Sequence, residues 1–124
     1  MGSLKIAHTN FNVFDLDKSL HFYKTAFEFE EVRRKVASDG SYILVYLGDG
    51  SGAHQLELTW LRDRDEPYDL GDNEIHFAVT TDDYDGWHAK HKEMGYTLWE
   101  NDAMGLYFVQ DPDGFWIEVL SSKR

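Results

Sequence analysis

The chain has 124 residues, no cysteine, 42% hydrophobic and 15% aromatic residues, and a formal charge of −11. That is enough chain for one domain with a sizeable core, and it excludes a disulfide framework, a thiolate nucleophile and a cysteine-type zinc site. So negative a charge argues against nucleic acid as a partner, since phosphate binding needs a basic footprint; no apolar run approaches the roughly 20 residues of a membrane span. The N-terminus lacks the long apolar stretch of a secretory signal, so a cytoplasmic protein is expected.

In chain order, residues 5–13 read as a first strand. Thr9, Phe11 and Val13 fall on one face, and Ile6, His8, Asn10 and Asn12 on the other. Asp15 is an expected N-cap. Leu16, Leu20, Tyr23 and Phe27 then recur at helical spacing over about three turns. Residues 29–37 alternate weakly and carry Glu30, Glu31, Arg33, Arg34 and Lys35, which predicts an exposed strand. Asp39-Gly40 supplies a turn. Residues 42–47 form the most apolar strand and are expected to be central. Residues 48–52 make a glycine-rich loop, and residues 54–61 a further strand with Leu56, Leu58 and Trp60 opposite Gln55, Glu57 and Thr59.

Residues 62–73 are charged, hold Pro67 and Gly71, and follow neither period, as a linker would. The pattern then starts again. Residues 74–80 read as a strand with Ile75, Phe77 and Val79 inward and His76 on the opposite face. Asp82 or Asp83 caps a second helix bearing Tyr84, Trp87, His91 and Met94, and Gly95 is its expected stop. Residues 96–100, 106–110 and 115–120 are three more strands. Asp111-Pro112-Asp113-Gly114 is turn chemistry leading into the last of them. There Phe115, Ile117 and Val119 share one face, while Glu118 lies between Trp116 and Leu120 on the other. A lone carboxylate in that setting suits a pocket better than a core.

Each half thus reads strand, helix, three strands. The expectation is an α+β fold of one domain, 1–124, made of two βαβββ modules (4–61 and 74–121) joined by linker 62–73, with curved mixed sheets sharing a concave face. In each half the first strand carries a histidine and the last a glutamate: His8 with Glu57, and His76 with Glu118. Two imidazoles and two carboxylates make a borderline-hard divalent metal site. Polar residues are also ordinary on a solvated sheet face, and spacing alone leaves both readings open. His21 and His88 read as surface helix positions, His91 as half-buried, and His54 as a strand-end surface residue.

His8-Thr9, Asp15-Leu16, Ser19, Phe22-Tyr23, Leu56-Glu57-Leu58-Thr59, His76-Phe77-Ala78-Val79 and Asp111-Pro112-Asp113-Gly114 with Ile117-Glu118 together resemble glyoxalase I (lactoylglutathione lyase), of the vicinal oxygen chelate superfamily. The resemblance implies the glyoxalase/bleomycin resistance/dioxygenase-like fold and one divalent metal held by His8, Glu57, His76 and Glu118. A histidine at the first ligand position resembles the Ni2+- or Co2+-activated class rather than the Zn2+ class. The implied substrate is the hemithioacetal of a 2-oxoaldehyde such as methylglyoxal with glutathione or another small thiol. The implied reaction is proton transfer through an ene-diolate to the lactoyl thioester, with Glu118 and Glu57 as the catalytic carboxylates.

A homodimer whose modules pair across chains is likewise implied. On the same fold the alternatives are a binding or resistance protein that sequesters a small planar compound, and a related epimerase. This chain departs from the glyoxalase I pattern at Asn12, Leu61 and Asp72, where that family places groups for the glutamyl end of glutathione. Weak use of glutathione is therefore expected, unless Arg62, Arg64 or Lys35 takes over that role.

Overall fold

A computed structural model describes residues 1–123. The elements are β1 (His8–Asn12), α1 (Leu16–Phe27), β2 (Glu30–Val36), β3 (Tyr42–Gly48), β4 (Gln55–Leu61), β5 (His76–Thr81), α2 (Tyr84–Glu93), β6 (Thr97–Asn101), β7 (Leu106–Gln110) and β8 (Trp116–Ser121), with a short 3-10 turn at Asp102–Met104 between β6 and β7. They form two compact units, one spanning Met1–Tyr68 and one beginning at Asp69. Each unit contains one four-stranded mixed sheet, ordered β1-β4-β3-β2 in the first and β5-β8-β7-β6 in the second.

In both sheets the first strand runs parallel to the last, and the remaining pairs are antiparallel. A parallel pair needs a long crossover. Here the crossover contains the helix and two strands.

The first unit is built as its periodicity predicts. Asp15 caps α1 by accepting from the Lys18 amide at 3.1 Å. Phe22, Tyr23, Ala26 and Phe27 are buried, as are Phe11, Val13, Val45, Leu47, Leu56 and Leu58. Burying such side chains supplies the main drive to fold. β2 is exposed along its whole length. β1 starts at His8, so Ile6 precedes the ladder and is 84% exposed.

In the second unit Asp83 caps α2 by accepting from the Gly86 amide at 3.2 Å, and Gly95 follows the helix with φ +76°. The Asp111 carboxylate accepts from the Asp113 and Phe115 amides at 2.9 and 2.8 Å, which ties the turn shut ahead of β8. Gly114 takes φ +97° there, a conformation that L side chains rarely adopt. Asn73 Nδ2 donates to the Gly114 carbonyl at 2.8 Å, so the approach to β5 is fastened to the turn before β8.

Three expectations about the second unit are corrected: Ile75 as inward, His88 as a surface residue and His91 as half-buried. Ile75 is 77% exposed, because β5 begins one residue later and no sheet face covers it. His88 is buried, as is His91. The His88 ring stacks on Tyr107 with centroids 4.2 Å apart, and its Nε2 donates to Glu100 at 2.8 Å. His91 Nδ1 pairs with the Tyr107 hydroxyl at 2.7 Å. α2 therefore packs on its sheet through histidines, whose rings supply the apolar contact and whose nitrogens find partners.

Replacing His91 by Leu leaves the buried Tyr107 hydroxyl without its partner. The expected loss is about 1–3 kcal/mol of unfolding free energy in urea denaturation. The hydrogen bond to His88, and then that to Lys92, holds the Glu100 carboxyl below its ordinary value of 4.5, against some desolvation. Such a group stabilises the fold above its unfolded value and loses that contribution as pH falls through the lower folded value. The stability gap between wild type and Glu100→Gln is thus expected above pH 4.5 and should close at more acid pH. A series of urea titrations across that range checks it.

Candidate metal centre

Strand register fixes each candidate ligand pair. In the first unit His8 lies opposite Gln55 in the parallel ladder, with Glu57 two residues further along β4. In the second, His76 lies opposite Trp116, with Glu118 two residues further along β8. Residues two apart on a strand share a face, so both halves aim an imidazole and a carboxylate to the same side by the same offset. The structure brings His8 to Glu57 and His76 to Glu118, as the sequence pattern requires within each half.

His8 Nε2 is 3.6 Å from Glu57 Oε1, and His76 Nε2 is 3.3 Å from Glu118 Oε1. Both separations exceed the roughly 2.7–3.2 Å of a good hydrogen bond. Two donors each about 2.1 Å from one ion and at near-right or tetrahedral angles stand about 3.0–3.4 Å apart. His76 and Glu118 fall within that range, and His8 and Glu57 stand just beyond it. The carboxylate side chains are 11% and 14% exposed and the imidazoles 40% and 46%, so the carboxylates sit in the sheet surface and the rings remain accessible. Borderline-hard nitrogen and oxygen donors suit a divalent first-row ion.

Behind each pair runs a cross-strand row. In the first unit Arg33, Tyr46, Glu57 and Asn10 lie side by side across β2, β3, β4 and β1. In the second, Trp99, Phe108, Glu118 and Ala78 take the corresponding places across β6, β7, β8 and β5. An irregularity in β2 between Glu31 and Arg33 recurs in β6 between Thr97 and Trp99, so even the edge strands match.

The aromatic residue beside each histidine meets it edge-on: Tyr46 to His8 at 5.5 Å and Phe108 to His76 at 5.3 Å between centroids. Such contacts fix the imidazole plane. The chemistry of the rows differs. The Tyr46 hydroxyl interacts with Glu57; that hydrogen bond first, then burial and the carboxylate's charge, raises the phenol above its ordinary value. Phe108 offers Glu118 no such partner, and Trp99 and Trp116 extend the apolar wall around Phe108, with centroids 6.0 and 5.3 Å from its ring.

Sequence reasoning found the four candidate ligands and missed the rows. Tyr46 and Phe108 read only as strand residues, and Arg33 as one of several surface charges. The information lies in the register of β2 on β3 and of β3 on β4, which the glycine-rich loop after β3 leaves open in the sequence.

Residues 5–119 match the Glyoxalase/Bleomycin resistance protein/Dioxygenase superfamily, and the chain belongs to it. Within that superfamily its likeness is to glyoxalase I, over essentially the whole length. It is 34% identical to the lactoylglutathione lyase of Neisseria meningitidis serogroup A, covering 97% of this chain and 92% of that one. It is 31% identical to a probable lactoylglutathione lyase of Vibrio parahaemolyticus, covering 100% and 95%. Among solved structures it superposes on the trypanothione-dependent glyoxalase I of Leishmania major with a TM-score of 0.88 and 30% identity, covering 98% of this chain and 88% of that one. The antibiotic-binding protein TnmS3 of Streptomyces, at 20% identity and TM-score 0.73, shares the fold alone.

Replacing either imidazole, by His8→Ala or His76→Ala, is expected to weaken divalent-ion binding by about tenfold or more, since even the groups that merely orient ligands are worth about 10–100-fold. Competition against a chelating dye measures this directly, and an unchanged far-UV circular dichroism spectrum shows that the fold is intact.

Proposed function

We propose that the protein is a metal-dependent isomerising lyase of glyoxalase I type, acting on the hemithioacetal of a 2-oxoaldehyde and a small thiol. The observation that carries this is the pair of matched His–Glu sets, brought to 3.6 and 3.3 Å by the same register in both units. His8, Glu57, His76 and Glu118 would hold the ion, with Ni2+ or Co2+ favoured by the histidine at the first position. Bound there, a divalent ion supplies a Lewis acid that acidifies the C–H between the two oxygen-bearing carbons and favours the ene-diolate.

The chain's own residues do the proton work. Glu118 accepts the proton from C1, and Glu118 or Glu57 delivers one to C2, so the hemithioacetal becomes the isomeric thioester with no net gain or loss of electrons. The rows divide the labour. Glu118 faces Phe108 and has Trp116 two residues away on its face, an apolar setting that keeps water from competing for the transferred proton. Glu57 is steadied by Tyr46 and serves foremost as a fixed ligand.

Each unit carries half of the ligand set. We infer a homodimer in which His8 and Glu57 of one chain complete the site with His76 and Glu118 of its partner, giving two equivalent sites.

Replacing Glu118 by Gln keeps a carbonyl oxygen for the metal and removes the base. Turnover of the methylglyoxal–glutathione hemithioacetal is expected to fall by about 10²–10⁴-fold, with metal still bound. A rate near that of wild type would place the base elsewhere. Mixing inactive Glu57→Ala and Glu118→Ala chains tests the assembly: shared sites predict recovered activity once subunit exchange has been verified, and none recovers if each chain builds its own site.

A further inference from the structure

We infer that His54 is a positioning residue for His8: its hydrogen bond to Thr9 closes the open end of the β1–β4 ladder and so holds the imidazole beside Glu57. The inference rests on the lyase reading for the role of His8 and goes beyond it in naming what keeps that imidazole in place.

His8 sits where a strand frays. It is the first residue of β1, which lies at the edge of its sheet with β4 as its neighbour. The residues ahead of it are exposed, Ile6 among them. The two ends of β1 are secured differently. At the far end Phe11 and Val13 are buried, and the Val13 amide donates to the Thr59 carbonyl at 2.9 Å. At the near end the Gln55 amide donates to the Ala7 carbonyl at a longer 3.2 Å. Segments with few buried contacts open at low cost, and opening here would carry His8 away from Glu57.

A side-chain pair stands at that end. Thr9 Oγ1 and His54 Nε2 are 2.7 Å apart. Thr9 directly follows His8 on β1, and His54 directly precedes Gln55, the residue opposite His8 in the ladder. Both are half-buried, although His54 reads from the sequence as a surface residue. A hydrogen bond between neighbouring strands resists their separation at the point where it is made. The loop that delivers His54 is itself tied. The Ser51 amide donates to Asp49 Oδ1 at 2.8 Å, and the Ala53 amide to Ser51 Oγ at 3.3 Å.

The second unit meets the same need by other means. At the places of Thr9 and His54 it has Phe77 and Phe115. Its fastening comes from Asn73, whose Nδ2 donates to the Gly114 carbonyl at 2.8 Å. Asn73 lies three residues before His76, and His54 three residues before Glu57. Each unit thus ties the start of its histidine strand to the segment leading into its glutamate strand. The tying side chain comes from the glutamate side in the first unit and from the histidine side in the second.

The test uses the full chain, with Ni2+ as the probe. Amide exchange of the metal-free protein is followed by NMR, and Ni2+ affinity by competition with a chelating dye. In His54→Ala the Gln55 amide is expected to exchange about fivefold faster and Ni2+ to bind about fivefold more weakly, the worth of one hydrogen bond. The Val13 amide is expected to exchange as in wild type. Thr9→Val should have the same effects, and the double variant no more than either alone. His54→Gln, which keeps an N–H for Thr9, is expected to recover most of both losses. His21→Ala, at an exposed position of α1, should change neither. An unchanged Gln55 amide in His54→Ala, an equal acceleration at Val13, or unchanged Ni2+ affinity beside a faster Gln55 amide each overturns the inference. A wild type that binds no Ni2+ sinks the lyase reading instead, and the Gln55-to-Val13 exchange ratio still decides whether His54 holds the strand that carries His8.

Discussion

The parallel pairing of the first strand of each unit with its last is the constraint on which the candidate site depends. β1 and β5 are short, and the residues that lead into them, Ile6 and Ile75, are exposed. Their registers come from the ladders to β4 and β8, which are anchored by Leu56, Leu58, Ile117 and Val119 in the core. A slip of one residue in either ladder would turn its histidine to the opposite face from its glutamate. The hydrophobic pattern that buries Leu56 and Leu58 of β4 and Ile117 and Val119 of β8 therefore also sets the spacing between imidazole and carboxylate. The turn at Asp111, tied by its own carboxylate and by Asn73, protects that register where β8 begins.

Duplication of this arrangement gives two half-sites with one backbone and different surroundings. Arg33, Tyr46 and Asn10 flank one glutamate with donors; Trp99, Phe108 and Ala78 flank the other with hydrocarbon. Proton transfer and ligand fixation ask opposite things of a carboxylate. A base must be free to change partners, and a ligand must stay put. One fold unit used twice can set its two glutamates in different surroundings because the residues that distinguish them come from the strands flanking β4 and β8 and not from β4 and β8 themselves.

Much of this was legible in the sequence, because period and position carried it. The helix of Leu16, Tyr23 and Phe27, the exposed charged strand, the two caps and the placement of the four candidate ligands on polar strand faces follow from alternation and capping chemistry alone. What escaped depends on tertiary placement. His88 reads as a surface residue because histidine is polar, yet its ring covers Tyr107 and its nitrogen meets Glu100. Ile75 reads as inward because it is apolar and in phase with Phe77, yet the ladder does not reach it. Tyr46 and Arg33 gain their meaning from cross-strand neighbours eleven or thirteen positions away in the chain, a separation no local pattern encodes.

β2 has a consequence of its own. None of its seven residues is buried, and it is an edge strand held on one side by β3. Segments with so few buried contacts open at a small fraction of the global unfolding free energy. The amides of Glu30–Val36 therefore belong to the fast-exchanging part of the first sheet, and its outer edge opens without disturbing the core strands beside it. Whatever binds through this strand must also order it. Occupancy would accordingly be recorded as slower hydrogen exchange along an edge several residues long, and part of the binding free energy would go into quieting the backbone rather than into the contact itself.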